Sequence, residues 1–460
     1  MYRNALIDFK NWFFSNDSKP LILRGARQVG KTTLIRLFAA QNDLTLIEVN
    51  MEDPQSFVTL LKNNQPQDIF EILALERGLD ELSPDKHLFF FDEVQECPDI
   101  IRFLRYCYER APDFRVVCAG SLLEFTLGEL QTSFPVGRVE YMYLETMTFE
   151  EYLRAVTGST KLVDKLENFS PSNPISQAIH TILLNHFKSY LICGGMPEVV
   201  SAKAKGKGLL EMEKIKSAIL ESYYSDFPKY TQHTAMKPDI ALLQQLFSTL
   251  PNQIGNKITY SKLALETKAE KVKRHIDFLE KALLVKRCIH SSANEPPLRA
   301  GINEKVFKLL GLDVGLLQTQ LGVSIAEIID SKDVNKLAKG DLTEQFIGQH
   351  LSQLNERFKK PALYHWSRQS RGSEAEVDYL IELNGQIIPI EVKAGTSNTM
   401  RSLQLLQQEK HYPFAVRFYA GEIKQESRSI PDQSIKFTLL SLPLYAVGQL
   451  PRLFAELSSE

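Results

Sequence analysis

The spacing of apolar positions changes several times along this chain, and each change predicts an element. "PLILRG" is a short apolar run behind a proline, which reads as a buried strand. In "KTTLIRLFAAQ", Leu34, Ile35, Phe38 and Ala39 recur at helical spacing. "LTLIEVNME", "HLFFFDEVQ" and "FRVVCAGSLLEF" read as three more strands, and Leu88 to Phe91 are apolar throughout, as in a parallel strand covered on both faces. Strands alternating with helices predict an α/β core with a parallel sheet. Thr157 to Gln177, rich in Ser, Asn and Pro, reads as a connector, and helical patterns dominate after it. A tight glycine turn in "CGGMPEVV" interrupts them.

Two later patterns add detail. From Ile258 to His290 a short helix carries Leu263 and Ala264 inward, and a turn follows at Lys268–Ala269. A second helix then places Val272, Ile276, Leu279 and Leu283 on one stripe, and "LVKRCIH" suits the first strand of a wing. In "SEAEVDYLIELNGQIIPIEVKAG", Asn384–Gly385 lies between two alternating runs, a strong hairpin signal. A two-residue turn pairs Leu383 with Gln386. By extension Tyr379 meets Ile390, Asp378 meets Glu391 and Glu376 meets Lys393. Val377, Tyr379 and Ile381 then share an apolar face with Ile388, Ile390 and Val392, although Pro389 could introduce a bulge. "GDLTEQFIGQHLSQL" upstream reads as an amphipathic helix, "PFAVRFYAGEI" as a further strand, and "LLSLPLYAVGQLPRLF" closes the chain.

Composition narrows the class. The chain has 460 residues, room for two to four domains, with 43% hydrophobic and 24% charged residues. Lys+Arg number 54 against Asp+Glu 56, which excludes a globally basic nucleic-acid coat but not a local basic face. No apolar run approaches the roughly 18–20 residues that cross a bilayer. "MYRNALIDFKNWFF" does not read as a signal peptide. The 5 cysteines are scattered without a C-x-x-C pair, which fits reduced core thiols in a cytoplasmic protein.

The chemistry starts at "GARQVGKT", a match to G-x-x-x-x-G-K-[ST] between a strand and a helix. Gly25, Ala26, Arg27, Gln28, Val29 and Gly30 would curl their amides around a phosphate at the helix N-terminus. Thr33 continues the loop into the helix. Lys31 would reach the β- and γ-phosphates, and the Thr32 hydroxyl would ligate Mg²⁺. Asp92, at the end of its apolar strand, would hold the magnesium through water, and Glu93 would polarise the attacking water. An acid pair after an apolar run also suits a helix N-cap; the loop upstream favours the catalytic role. Ser121 would sit at the carboxyl edge of the next strand, placed to orient the water or the γ-phosphate or serving as a turn serine. Arg138 would supply a charge at the γ-phosphate or remain a surface arginine.

"LILRGARQVGKTTL", "FFFDEVQ", "CAGSLLEF", "VGRVEYMYLETMTFEEYL" and "YLICGGMPEVV", in this order, resemble a large family of bacterial and archaeal AAA-type ATPases that carry a C-terminal domain of unknown function. The resemblance spans nearly the whole chain and implies ATP rather than GTP; no Asn-Lys-x-Asp segment that would read guanine occurs.

Two further constellations remain. Lys257 to Arg287 holds nine Lys/Arg against four acids, with Lys271, Lys273, Arg274 and His275 in the first half of the candidate recognition helix. The small loop "AKAKGKG" could touch phosphate or be a solvated tip. In the hairpin, Asp378 and Glu391 would face each other closely enough to bind one divalent cation, with Lys393 beside them holding water or a scissile phosphate. This D…E-x-K set resembles the metal-dependent nuclease core of restriction-type enzymes. Its rival is a solvated face with an ion pair between Glu376 and Lys393. Glu344 matches a helix glutamate near such a site, and Asp341-x-x-Glu344 equally fits a capping box.

The expected organisation is a P-loop AAA-type core over 1–156, a helical lid and connector over 157–240, a winged-helix-like domain over 241–330 and a restriction-endonuclease-like α/β domain over 331–460. The expected function is an Mg²⁺-dependent ATPase coupled to a DNA-binding or nuclease-like domain, with a nucleotide-switched regulator or scaffold as the alternative. Expected partners are ATP and DNA, with no membrane; a homo-oligomer is compatible.

Overall fold

The structure, a computed structural model, describes residues 1–52, 55–121, 123–125, 137–230, 237–264, 266–322, 341–368, 375–395, 400–430 and 435–458. Its first unit runs α1 (Ala5–Phe14), β1 (Leu21–Arg24), α2 (Lys31–Gln41), β2 (Thr45–Asn50), α3 (Gln55–Asn63), α4 (Pro66–Leu75), β3 (His87–Asp92), α5 (Asp99–Arg110), β4 (Arg115–Ala119) and β5 (Glu140–Tyr143). The strands form a parallel sheet in the order β2-β3-β4-β1-β5. The continuous apolar run of β3 has a direct cause. Leu88 and Phe90 feed one core, while Phe89 and Phe91 feed a second core on the other face. Phe89 stacks on Phe70 of α4 at 4.1 Å. Burying each of these rings contributes about 2–3 kcal/mol, so the strand is anchored from both sides.

A helical layer follows: α6 (Phe149–Thr157), α7 (Lys161–Glu167), α8 (Gln177–Cys193), α9 (Pro197–Ala204) and α10 (Leu209–Tyr230). The expected connector thus contains a short helix, α7, because Val163 and Leu166 find a core to enter. Next come α11 (Ile240–Thr249), α12 (Tyr260–Leu263), α13 (Ala269–Lys281), β6 (Val285–Ser291) and β7 (Ile302–Gly311). β6 and β7 pair antiparallel, and Ile258 bridges to Phe307. Three helices, a bridging extended residue and two antiparallel strands thus follow one another where a winged helix was expected.

The last segment is α14 (Val314–Leu321), α15 (Asp341–Ser352), β8 (Leu363–Ser367), β9 (Glu376–Leu383), β10 (Gln386–Val392), α16 (Arg401–Lys410), β11 (Phe414–Tyr419), β12 (Lys424–Ser429), β13 (Lys436–Pro443) and α17 (Leu450–Ser458). Its strands do not form a separate sheet. β6 pairs parallel with β8, so wing and C-terminal strands make one eight-stranded sheet, β12-β13-β11-β10-β9-β8-β6-β7. The boundary expected between 330 and 331 falls outside the described residues, and this sheet runs from one side of it to the other.

The units also share a core. Phe346 of α15 packs edge-on against Phe187 at 4.8 Å and Tyr190 at 5.4 Å, both on α8. His350 of α15 accepts the Phe149 N–H of α6 on Nε2 at 2.9 Å, and its Nδ1 faces the Phe346 carbonyl at 2.8 Å. Accepting on Nε2 places the proton on Nδ1 and keeps the ring neutral. Burial pushes this imidazole down to about 4. Unfolded, the same ring takes a proton below about 6.5. Between those values the unfolded chain binds more protons, so stability falls as pH falls, by about 2 kcal/mol between pH 7 and 5. The thermal midpoint is expected to drop over that interval, with a clearly smaller drop in His350→Gln. Equal slopes in the two proteins would remove His350 as the cause.

The five cysteines are all buried and unpaired. Among the described residues no helix is long and apolar enough to cross a membrane.

Candidate functional site

The carboxyl ends of β1, β3 and β4 open into a cleft of about 590 Å³. Gly30, at φ 93°, ends the loop as the N-cap of α2. That left-handed conformation is cheap only for glycine. Lys31 is 8% exposed, and its Nζ donates to the carbonyls of Gly25 and Ala26, both at 2.9 Å. Burial pushes its ammonium down to about 8, against the attraction of Glu93 and Asp92. The Thr32 hydroxyl donates to Asp92 Oδ2 at 2.7 Å. Desolvation raises the Asp92 carboxyl, and the bond from Thr32 partly offsets it. A buried ammonium held only by loop carbonyls, beside a hydroxyl–carboxylate pair, has the donor set to receive a triphosphate and its Mg²⁺.

Glu93 lies on the same cleft as Asp92, in a left-handed conformation at φ 52°. Gln95 Nε2 donates to Glu93 Oε2 at 2.7 Å. Gly120 leaves room for this glutamine, since a Cβ there would collide with Gln95 Oε1. Gln95 was not among the expected site residues; "DEVQ" carried its position but not its aim. Ser121 also lines the cleft.

The opposite wall belongs to the helical layer. Gly194 and Gly195 turn the chain into α9, and Pro197, at the start of that helix, faces Gly30. Lys205 and Lys207, from the "AKAKGKG" tip, line the cleft together with Glu198 and Glu211. Further contacts brace the loop. Buried Arg3 donates to Val29 O at 2.9 Å and to Glu145 O at 2.6 Å. Arg27 pairs with Asp226 on α10, and the Tyr223 hydroxyl donates to Arg27 O at 3.0 Å.

Arg138 is not brought to the cleft within this chain. It lies on the surface before β5, where its Nε donates to Glu109 on α5 at 2.6 Å. In the winged unit, Lys271 pairs with Asp239 at 2.7 Å, Lys273 with Glu304 at 3.8 Å, and Arg274 with Glu270. His275 is buried rather than presented to solvent: it accepts the Asp239 N–H at 2.9 Å.

The C-terminal acidic cluster differs from the expectation in three ways. The β9–β10 register agrees from Leu383–Gln386 to Tyr379–Ile390, and Pro389 pairs with Leu380 without a bulge. The irregularity lies on the other side of β9, where pairing with β8 shifts between Tyr364–Leu380 and Trp366–Val377. The extra residue re-aims the strand. Val377 therefore joins a different core from Tyr379, which splits the expected apolar face. The β9–β10 ladder stops at the Tyr379–Ile390 pair, and the side chain of Asp378, through Oδ2, accepts the Val392 N–H at 2.8 Å. Finally, Lys308 of β7 lies among the acids: its Nζ is 2.8 Å from Glu344 Oε1, 3.4 Å from Asp378 Oδ1, and paired with Glu376. Glu344 thus faces this lysine instead of serving only as a cap partner. Lys393 pairs with Glu391 at 2.5 Å. Asp378 and Glu391 do not present an open cation site, and among the described residues no group of three or more His, Cys, Asp or Glu is arranged to hold a metal ion.

Residues 17–153 match a protein family described as AAA domain. Residues 184–327 and 339–445 match two domains of unknown function, DUF8612 and DUF4143. No curated protein matches the chain. Among solved structures, a Walker-type ATPase of Pyrococcus abyssi is similar at 12% identity and a TM-score of 0.44, over 70% of this chain and 95% of that one. The RuvB Holliday junction branch migration motor of Thermotoga maritima is similar at 13% and 0.27, over 62% and 90%. The Orc1 protein of Aeropyrum pernix, solved in complex with DNA, is similar at 13% and 0.27, over 70% and 90%. The domain match, the parallel sheet and the Gly25–Thr32 loop define the first unit as an AAA-type P-loop module.

Proposed function

We propose that this chain binds and hydrolyses ATP with magnesium in the cleft between the parallel sheet and the helical lid. The observation that carries the proposal is the convergence of Lys31, the Thr32–Asp92 pair and the Gln95-bonded Glu93 in one cleft that Lys205 and Lys207 also line. In this reading the loop amides and Lys31 bind the β- and γ-phosphates. Thr32 and Asp92 would hold the magnesium, which when bound neutralises charge on the phosphate oxygens. Glu93 takes the proton of the attacking water, and Ser121 orients the water or the terminal phosphate. Lys205 and Lys207 supply lid charge at a place where Arg138 of this chain does not reach.

DNA contact through the winged helix is the second element of the proposal. The exposed Lys257, Lys262, Lys268 and Lys271 around α12 and α13 favour it. The acids already paired with Lys271, Lys273 and Arg274 make any such contact weak and sensitive to salt.

A phosphate-release assay tests both elements. The purified chain with Mg²⁺ and ATP is expected to release phosphate, and Lys31→Ala is expected to abolish nucleotide binding and release together. Wild-type release by Lys31→Ala would end the ATPase reading. Duplex DNA that neither binds at low salt nor changes the rate would end the second element alone.

A further inference from the structure

Lys308 belongs to the wing strand β7, yet its side chain ends in the C-terminal acidic cluster and is 2% exposed. An ammonium has three N–H donors. Here they meet three carboxylates: Glu344 from α15, and Glu376 and Asp378 from β9. The second oxygen of Asp378 is occupied by the Val392 N–H. Glu391 completes the group; its Oε1 holds Lys393, while its Oε2 is buried without a hydrogen-bond partner. Such a cluster of acids could not remain buried without a central positive charge. In a metal-dependent phosphodiesterase that charge is a divalent cation; here it is an amino group fixed by the chain.

We propose that Lys308 is the resident cation of this cluster, standing where a divalent metal would sit, and that Asp378 and Glu391 bind a divalent cation only when that ammonium is removed. The proposal does not depend on the ATPase reading. With the ammonium in place no metal-bound water can form, so the cluster does not hydrolyse phosphodiesters by that route. The lysine lies in strand β7, five positions before Asp313, whose Oδ2 accepts the Gly195 N–H of the lid turn, so the segment that carries the locking charge also touches that turn.

The test is Mn²⁺ binding to the nucleotide-free full-length chain, read by electron paramagnetic resonance of free Mn²⁺, in an Asp92→Asn background that silences the phosphate-loop cation. With Lys308 intact, no site in the C-terminal cluster is expected. Lys308→Met is expected to gain one Mn²⁺ per chain with at least tenfold tighter binding, lost again when Asp378→Asn is added. If Lys308→Met does not fold alone, Lys308→Met/Glu376→Gln, which neutralises one of the acids that lysine held, takes its place; its thermal midpoint is expected to rise with Mn²⁺. Mn²⁺ binding in the Lys308-intact protein that Asp378→Asn abolishes would overturn the proposal. So would a folded Lys308 variant that gains no binding.

Discussion

Glu93→Gln is expected to bind ATP as the parent chain does and to turn it over about 10²–10⁴ times more slowly. The substitution keeps the shape of the side chain and removes its capacity to take a proton. Thr32, Asp92 and Lys31, which would bind the triphosphate and its cation, are untouched. Binding and rate should therefore separate, as they do when a lost interaction belongs to the transition state alone. Gln95→Ala is the companion variant. It leaves the carboxylate in place and removes the 2.7 Å bond that aims it. A positioning role predicts a smaller fall in kcat with KM unchanged. The measurements are single-turnover phosphate release and equilibrium binding of a fluorescent ATP analogue. Turnover by Glu93→Gln at the parent rate would take the residue out of the mechanism. Some other group would then have to activate the water.

The phosphate loop was legible in the sequence because its chemistry is local. Gly25 to Thr33 is continuous, and the strand carrying Asp92 announces itself by four apolar residues in a row. The hairpin turn at Asn384–Gly385 was legible for the same reason: positive φ at both positions sets a register that the ladder follows as far as Ile390. What the sequence concealed depends on distant partners. Nothing near Arg138 reveals that it pairs with Glu109 on α5. Nothing in "AKAKGKG" shows that two of its lysines line the same cleft as the phosphate loop. The split in the expected apolar face comes from the pairing of β9 with β8, a strand not included in the hairpin reading. Lys308 lies 36 residues from Glu344 and 70 from Asp378. It did leave one local sign, a single charge inside the apolar run "VFKLLGL". A lysine in such a run must find buried acids or break the strand, and that argument needed no structure.

Asp313→Ala is expected to destabilise the chain by about 3–5 kcal/mol, more than most single substitutions. Asp313 is 1% exposed and joins three elements at once. Its Oδ1 caps α14 by accepting the Gly315 N–H at 3.0 Å and the Leu316 N–H at 3.2 Å. Its Oδ2 accepts the Gly195 N–H at 2.7 Å and faces Gln349 Nε2 of α15 at 3.3 Å. Loss of the cap alone costs about 1 kcal/mol. Each buried N–H left without an acceptor adds about 1–3 kcal/mol. Burial raises the carboxyl of Asp313, and the N–H groups of Gly195 and Leu316 counter that shift, so the group is held as an acceptor by its neighbours. Asp313→Asn keeps one acceptor oxygen and is expected to lose less. The functional consequence follows from the Gly194–Gly195 turn, which packs so closely on Asp313 that no side chain fits at Gly194. That turn sets Pro197 against Gly30 of the phosphate loop. Loosening it should raise KM for ATP while leaving Glu93 in place, so kcat should change less than KM. Urea unfolding and ATPase kinetics on the two variants separate the effects. If Asp313→Ala unfolds at the parent midpoint, the buried carboxylate is not what fastens the lid turn to the strand that carries Lys308.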